Sequence, residues 1–343
     1  MPVIVDIAEE QERYDCMINI ALVGYGYWGP NVAKHLNNNP DIYFSYICDK
    51  REDRLNLAKS VYIGCVKYTL DFAEILNDND VDAVALAVET SAHFQLAKQA
   101  LEAGKHVYIE KPFTSTALEA IELKTLAEKV KKIVHIDHIM IYHPFIQRIK
   151  DYLDSGEIGD IIYVDASRMN LGQVKEDVNA MLDLAIHDLS ILDYLFNPGY
   201  PTSFHAIWQK SINKSEVTTF LLLKYNSFIA NIKSNWLSPI KERKLIIAGT
   251  KKMIVYDDVS IVEKLKIYDC GLIPKVDNSD YSTYVVKTRT GDVLSPDIKM
   301  SDALYNSISH FLICIKNNNP SLSGPDQGIR LLKILEEAHK QLQ

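Results

Sequence analysis

The sequence predicts an α/β domain built on a parallel sheet, followed by an α+β domain with a large, mostly antiparallel sheet. Up to about residue 140, continuous apolar strands alternate with amphipathic helices, which is typical of a parallel sheet covered on both faces. Beyond residue 160 the strands follow one another directly, and Asn226-Ser227 between two of them suits a hairpin turn. The length of 343 residues favours two domains.

The elements of the first half alternate regularly. Ser91 is placed to cap one helix and Gly104 to end it. Strands are predicted at 18–23, 43–48, 82–88, 106–110 and 133–137, and helices at 51–61, 91–103 and 116–131.

The second half changes character after about residue 140. Helices are predicted at 144–153, 179–195, 302–316 and 327–343, with strands from residue 160 onward that are interrupted by the helix over 179–195. We therefore divide the chain into an N-terminal extension (1–16), a first domain (17–140), a second domain (141–325) and a C-terminal helix (326–343).

Composition excludes several classes of protein. Apolar residues make up 47% and charged residues 24% of the chain, close to the globular average and unlike disordered or coiled-coil proteins. The formal net charge of −8 disfavours a nucleic-acid partner. No apolar run reaches the roughly 18 residues of a membrane span, and the acidic N-terminus lacks a signal-peptide core, so we expect a cytoplasmic protein. The five cysteines are scattered and odd in number, which favours reduced thiols over disulfides or a metal site.

A glycine-rich turn follows the first strand directly and opens a helix. Its residues are Gly24, Tyr25, Gly26, Tyr27, Trp28 and Gly29. In a strand–turn–helix context, such glycines allow close approach to a pyrophosphate, and the helix N-terminus supplies free N–H groups. The sequence therefore predicts a dinucleotide-binding Rossmann domain.

The end of the next strand predicts which dinucleotide is bound. Asp49 stands about 20 residues past the last glycine, where a carboxylate accepts hydrogen bonds from the ribose hydroxyls and repels a 2′-phosphate. Lys50 and Arg51 follow and could neutralise a phosphate. We expect NAD in preference to NADP.

Two further sites carry groups suited to redox chemistry at an alcohol. Glu110-Lys111-Pro112 ends a strand, and the proline restricts Lys111 to extended geometry, where it could stabilise an alkoxide. Asp183 and His187 share one face of a predicted helix, so the carboxylate could orient the imidazole as a general base. A core histidine with an acidic partner explains the same spacing, and Asp188 and Asp193 are alternative partners.

Together these residues resemble the Gfo/Idh/MocA family of oxidoreductases, from Ile18 onward. The resemblance rests on VGYGYWG, on the stretch from His93 through EAGKHVYIEKP, and on LDLAIHDL. It implies NAD(P)-dependent oxidation or reduction of a sugar-type alcohol, with Lys111, Asp183 and His187 as catalytic residues. It also implies that the open sheet of the second domain, which binds substrate, mediates a homodimer or homotetramer. Cofactor contacts are then expected at the glycine turn, Asp49, Lys50, Arg51, Ala87, Val88, His93, Glu110 and Lys111.

A narrower resemblance points to the branch that acts on nucleotide-linked sugars. SRMNLGQVKEDVNAMLDLAIHDLSIL and WLSPIKERKLIIAGTKKMIVYDD look like that branch, which acts at C3 of the sugar in polysaccharide synthesis. Arginine suits bidentate contacts to a diphosphate. The candidate substrate contacts are Arg168, Lys241 and Arg243 for the diphosphate, and Asn170 and Gln173 for sugar hydroxyls.

Two positions depart from the family pattern, and three other functions stay open. Val88-Glu89 stands where the family often has Thr-Pro, and Ile186 replaces a frequent proline; we assign Glu89 no role. The alternatives are a dehydrogenase of free sugars or polyols, a non-catalytic NAD-binding regulator, and a glycosidase that uses NAD transiently.

Overall fold

The computed structural model describes residues 17–64, 66–172, 179–210, 216–273 and 287–341, which form two compact units. The predicted extension (1–16) lies outside the described residues. The first unit runs to Tyr142 and resumes over Asp302–Leu332. The second unit is His143–Ser301 together with the residues from Lys333 onward. The predicted division placed 302–325 in the second domain, whereas Asp302–Leu332 groups with the first unit.

The first unit contains a six-stranded parallel sheet in the order β3-β2-β1-β4-β5-β6. This order confirms the predicted Rossmann domain. Strands β2 and β3 are added on one side of β1 and β4 to β6 on the other side, and this reversal leaves a crevice at the carboxyl ends of the strands. Its strands are β1 (Ile18–Val23), β2 (Ile42–Cys48), β3 (Lys67–Thr69), β4 (Ala83–Leu86), β5 (His106–Ile109) and β6 (Val134–Ile136).

Helices cover both faces of this sheet. Thr116 and Glu119 form a capping box at the start of α5, which fixes where that helix begins. The helices of the unit are α1 (Gly29–Asn38), α2 (Glu52–Val61), α3 (Phe72–Asn77), α4 (Thr90–Glu102), α5 (Ala117–Val130), a 3-10 turn (Ile139–Tyr142), α8 (Ala303–Asn317) and the first half of α9 (Pro325–Lys340).

Helix α8 belongs to the first unit because its apolar face packs on the parallel sheet. Ile308 and Phe311 are almost fully buried and share one core cluster with Ile20 and Leu22 of β1. Sequence alone shows an apolar helix but not which sheet it covers.

The second unit is built on an eight-stranded sheet in the order β14-β13-β12-β11-β7-β10-β9-β8. Every neighbouring pair is antiparallel except β7 and β10, which confirms the predicted mostly antiparallel sheet. Ile229 pairs with Lys224 across the predicted hairpin. The strands are β7 (Ile161–Leu171), β8 (Ser203–Lys210), β9 (Glu216–Lys224), β10 (Ile229–Asn235), β11 (Leu237–Gly249), β12 (Met253–Asp257), β13 (Leu265–Ile273) and β14 (Lys287–Leu294).

The helices α6 (Pro144–Asp154) and α7 (Ile186–Phe196) and the second half of α9 complete this unit. A single π-helical segment, Met181–Ala185, leads into α7, so the predicted helix over 179–195 is not α-helical throughout. Such segments are rare and occur often at functional sites. Within the described ranges, no helix is long and apolar enough to cross a membrane.

Candidate functional site

The glycine turn after β1 owes two of its glycines to packing. Gly24 has a φ of +95°, and a Cβ atom there would lie 2.4 Å from the Ala87 carbonyl oxygen. A Cβ atom on Gly29 would lie 2.2 Å from the Gly24 carbonyl oxygen. Both positions therefore require glycine for the turn itself to form.

Gly26 differs, because a Cβ atom added there would meet no heavy atom of the described residues within 4 Å. Beside it α1 begins at Gly29, with Pro30 in its first turn and no side chain capping its first N–H groups. Open space next to an uncapped helix N-terminus suits an anionic group. The turn therefore fits the diphosphate of a dinucleotide, with Tyr25, Gly26, Tyr27 and Trp28 along its path.

Asp49 is held rigidly behind this turn. Its Oδ2 accepts a hydrogen bond from the Tyr25 N–H at 2.7 Å, and its Oδ1 accepts one from the Arg51 N–H at 2.9 Å. A carboxylate accepts about four hydrogen bonds. The two backbone contacts thus fix Asp49 and leave it capacity for ribose hydroxyls.

An ion pair that the sequence did not reveal joins the loops after β2 and β4. Lys50 Nζ lies 2.6 Å from Glu89 Oε1. The hydrogen bond from Lys50 lowers the pKa of Glu89, and the same bond raises the pKa of Lys50. The sequence does place a lysine after β2 and a glutamate after β4. Their pairing can be predicted only when the strand order is known, because it puts β2 and β4 on either side of β1.

His93 connects the loops after β4 and β5 from inside the protein. It is fully buried, with Nδ1 2.9 Å from the Pro112 carbonyl oxygen and Nε2 3.2 Å from the Val88 carbonyl oxygen. Burial lowers its pKa, so the ring is neutral and donates one N–H. We therefore assign His93 to positioning the Lys111-Pro112 loop rather than to contact with a cofactor.

The second unit carries Asp183 in the π-helical segment and His187 in the first turn of α7. Both side chains are half-buried, and Nδ1 of His187 is shielded from solvent. Asp188, an alternative partner for His187, is engaged elsewhere. It forms a bidentate pair with Arg168 of β7, with Nη2–Oδ1 at 2.9 Å and Nε–Oδ2 at 3.2 Å.

This pairing changes the role expected of Arg168. Burial disfavours the charged form of Arg168, but the Asp188 carboxylate outweighs this effect and raises the pKa of Arg168 above its usual value. The guanidinium therefore stays charged. Because both side chains are buried and paired, Arg168 anchors the residue next to His187 and is not an open diphosphate contact. Arg243 lies directly opposite Arg168 in the β7–β11 register and is exposed, 3.4 Å from Asp258.

The remaining predicted substrate contacts are Asn170, Lys241 and Gln173. Asn170 is half-buried on β7, and Lys241 is exposed on β11. Gln173 lies outside the described residues. Within the part of the chain that the structure describes, no group of three His, Cys, Asp or Glu side chains is placed to hold a metal ion.

Comparisons with known proteins agree with this layout. Residues 18–138 match the model of an oxidoreductase family with an NAD-binding Rossmann fold, and residues 146–255 match the GFO/IDH/MocA C-terminal domain. UDP-N-acetylglucosamine 3-dehydrogenase of Acidithiobacillus ferrooxidans is 28% identical over 255 residues, which are 74% of this chain and 76% of that protein. Inositol 2-dehydrogenase of Salmonella paratyphi B is 29% identical over 189 residues, 54% of this chain and 56% of that protein.

The solved structure of the Acidithiobacillus enzyme, GnnA, has the same fold. It superposes with a TM-score of 0.78 at 24% identity, covering 95% of this chain and 99% of that one.

Proposed function

Because the chain belongs to the Gfo/Idh/MocA family of NAD(P)-dependent sugar oxidoreductases, we propose that it oxidises or reduces C3 of a nucleotide-linked sugar. The observation that carries this proposal is the similarity to UDP-N-acetylglucosamine 3-dehydrogenase over three quarters of both chains. The exposed cations Lys241 and Arg243 on β11 support it, since both are accessible to a diphosphate, although Arg243 must share its charge with Asp258.

In this proposal the first unit holds the cofactor. The Gly26 turn and the N-terminus of α1 bind the diphosphate, and Asp49 accepts the ribose hydroxyls. Ala87, Val88 and the Lys111 loop line the path to the nicotinamide, at the carboxyl ends of β4 and β5. The cofactor, when bound, exchanges a hydride with the sugar carbon.

The protein supplies the proton chemistry and the charge. His187, oriented by Asp183, takes the hydroxyl proton of the carbinol, and returns it when the reaction runs toward the alcohol. Lys111 supplies the positive charge that stabilises negative charge developing on the substrate. Arg168 keeps Asp188, and with it the first turn of α7, in a fixed position.

A dehydrogenase of a free polyol is the second candidate, and the similarity to inositol 2-dehydrogenase favours it. An assay that follows NADH absorbance separates the two, with UDP-N-acetylglucosamine and its uronic acid tested against inositol and glucose. We expect turnover with a UDP-sugar. Turnover with inositol or glucose alone would overturn the nucleotide-sugar proposal.

A charge-removal variant makes this test sharper. Arg243→Ala is expected to raise KM for a nucleotide sugar without changing kcat, because only diphosphate binding is weakened. Inhibition by free UDP should weaken to the same extent. An unchanged KM would remove Arg243 from the substrate site.

Homo-oligomerisation through the open sheet remains part of the proposal. Ile207, Phe220, Leu222, Ile229 and Tyr163 lie in register on one face of β8, β9, β10 and β7, and each is 42–67% exposed. Exposed apolar side chains on an open sheet face, here interspersed with Lys233 and Asn231, favour an interface. Sedimentation analysis should show a dimer or tetramer. The cytoplasmic location stays a prediction.

A further inference from the structure

Polar side chains lie on one face of the parallel sheet at the carboxyl ends of β5 and β6. Lys111 follows directly in the chain after the end of β5 and Glu110. Tyr108 pairs directly with His135, and the Asp137 N–H donates to the Ile109 carbonyl oxygen at 2.8 Å. Glu110 and Asp137 therefore leave the sheet side by side on the face that carries Tyr108 and His135. Asp137 is 1% exposed, and Oε1 of Glu110 is shielded from solvent although the residue as a whole is half-buried.

Hydrogen bonds run from this carboxyl pair through α8. The Ser307 hydroxyl donates to Asp137 Oδ1 at 2.9 Å, and His135 Nε2 lies 2.9 Å from the same hydroxyl oxygen. Because Ser307 has given its only proton to Asp137, the pattern assigns the His135 proton to Nε2. Nδ1 is then an acceptor, 2.9 Å from the Ser321 hydroxyl.

The path is continuous and has one polarity. Each donor along Ser321, His135 and Ser307 points toward the carboxyl pair. At its outer end, Ser321 lines a surface cavity of about 610 Å³ together with Lys124 and Arg330. A hydroxyl–imidazole–hydroxyl chain of this kind transfers a proton when each group accepts one proton from its neighbour and donates its own proton to the next group. No group needs to remain charged.

The carboxyl pair is suited to hold one proton. Two adjacent buried carboxylates do not both ionise, because desolvation and mutual repulsion oppose the second charge. Burial and the neighbouring Asp137 raise the pKa of Glu110 well above its usual range, while Lys111 acts in the opposite direction. The other titratable groups that face the pair are Tyr108 from β5, His135 and His138 from β6 and the turn after it, and His35 from α1.

We propose that Glu110 and Asp137 store one proton beside Lys111 and exchange it with water in the cavity through Ser307, His135 and Ser321. The inference rests on the proposed placement of the nicotinamide at the carboxyl ends of β4 and β5. The oxidised nicotinamide ring carries a positive charge and the reduced ring does not. Arrival of NAD⁺ expels the stored proton, and arrival of NADH does not. In the protonated pair the hydrogen bonds are reversed: Asp137 gives its proton to the Ser307 oxygen, Ser307 gives its own to His135 Nε2, and His135 Nδ1 gives its own to Ser321, which gives its own to water. This leaves every donor pointing toward the pair, which is the arrangement assigned above to the ionised pair. One proton leaves the pair and one enters the cavity water, with no change in electron count.

Isothermal titration calorimetry tests this without any turnover. Binding of NAD⁺ and of NADH to the wild-type protein, in buffers of different ionisation enthalpy, gives the number of protons released by each. We expect up to one more proton released with NAD⁺ than with NADH near neutral pH. Equal proton numbers for the two cofactors would overturn the proposal, even if a nucleotide sugar proves to be the substrate.

Variants locate the proton. Glu110→Gln and Asp137→Asn are each expected to abolish the difference, and either one suffices if the other fails to fold. The matched control is Ser234→Ala, which also removes a buried hydroxyl but lies on β10 of the second unit, outside the relay. It should keep the difference. A difference that persists in the carboxyl variants would contradict the assignment.

The relay itself is tested by rate. Rapid mixing of Ser307→Ala with NAD⁺ in weakly buffered indicator solution should show slower proton release than the wild type, by at least about tenfold. Release at the wild-type rate would show that the proton leaves by another route.

Discussion

Lys50 Nζ and Glu89 Oε1 lie 2.6 Å apart and join the loops on either side of β1. Both side chains are at least half exposed, so the pair contributes little to folding stability. The pair bears instead on the choice of cofactor. Lys50 follows Asp49, the proposed partner of the ribose hydroxyls, and is therefore the cation placed to meet the 2′-phosphate of NADP. While Glu89 holds it, Lys50 is less available for NADP.

Glu89→Gln should therefore shift cofactor selectivity toward NADP. An exposed ion pair is worth about 0.2–1 kcal/mol, so we expect up to about a fivefold change in the ratio of the two dissociation constants. Calorimetric titration with NAD and NADP measures it. The double variant Glu89→Gln/Lys50→Ala should show no gain for NADP, and an unchanged ratio in the single variant would contradict the prediction.

The two classes of glycine in the turn should respond differently to alanine. Gly26→Ala adds a methyl group to open space, so the melting temperature should be preserved while NAD affinity falls at least about tenfold, or about 1.4 kcal/mol. Gly29→Ala places a methyl group against the Gly24 carbonyl oxygen and should destabilise the fold by about 1–3 kcal/mol. Thermal unfolding and NAD titration separate the two effects. Wild-type affinity in Gly26→Ala would show that the diphosphate lies elsewhere.

Lys111→Ala should reduce turnover at least about a hundredfold, because the developing negative charge on the substrate oxygen loses its partner. NAD affinity should stay close to that of the wild type. Steady-state kinetics and NAD titration provide both numbers. Lys98→Ala is a suitable control, since Lys98 pairs with Glu122 on the helix surface. Wild-type turnover in Lys111→Ala would remove this lysine from the mechanism.

Arg168→Ala should act on stability before it acts on substrate binding. It leaves the Asp188 carboxylate buried without its partner, which costs about 3–5 kcal/mol. Denaturant unfolding should show that loss, with partial recovery in Arg168→Ala/Asp188→Ala. If the single variant instead kept its stability and only raised KM, Arg168 would be a diphosphate contact as the sequence first indicated.

Local pattern was enough to predict the strand–turn–helix elements to which we assign cofactor binding. The glycine turn, Asp49 and the lysine after β5 lie within single strand–turn–helix units, whose geometry depends on neighbouring residues. The Lys50–Glu89 and Arg168–Asp188 pairs were not predictable in this way, because each joins separate elements. The π-helical start of the α7 helix was also hidden, since its apolar residues suit an α-helix equally well.

His106 should make stability depend on pH below neutrality. Burial, with a smaller effect of Lys132, lowers its pKa to about 4, and its Nδ1 accepts a hydrogen bond from the Ile133 N–H at 2.9 Å. The unfolded chain binds a proton at this histidine below about pH 6.5, and the folded protein does so only near pH 4. Its contribution to the free energy of unfolding is therefore complete above about pH 6.5 and is lost as the pH falls toward 4. The free energy of unfolding changes by at most about 1.4 kcal/mol per pH unit, and by less because the ring is only half-buried.

A variant tests this contribution. In His106→Asn the amide oxygen can keep the hydrogen bond but does not titrate, so chemical unfolding at several pH values should show a shallower slope. Equal slopes in the two proteins would mean that His106 takes up its proton as readily in the folded state as in the unfolded chain.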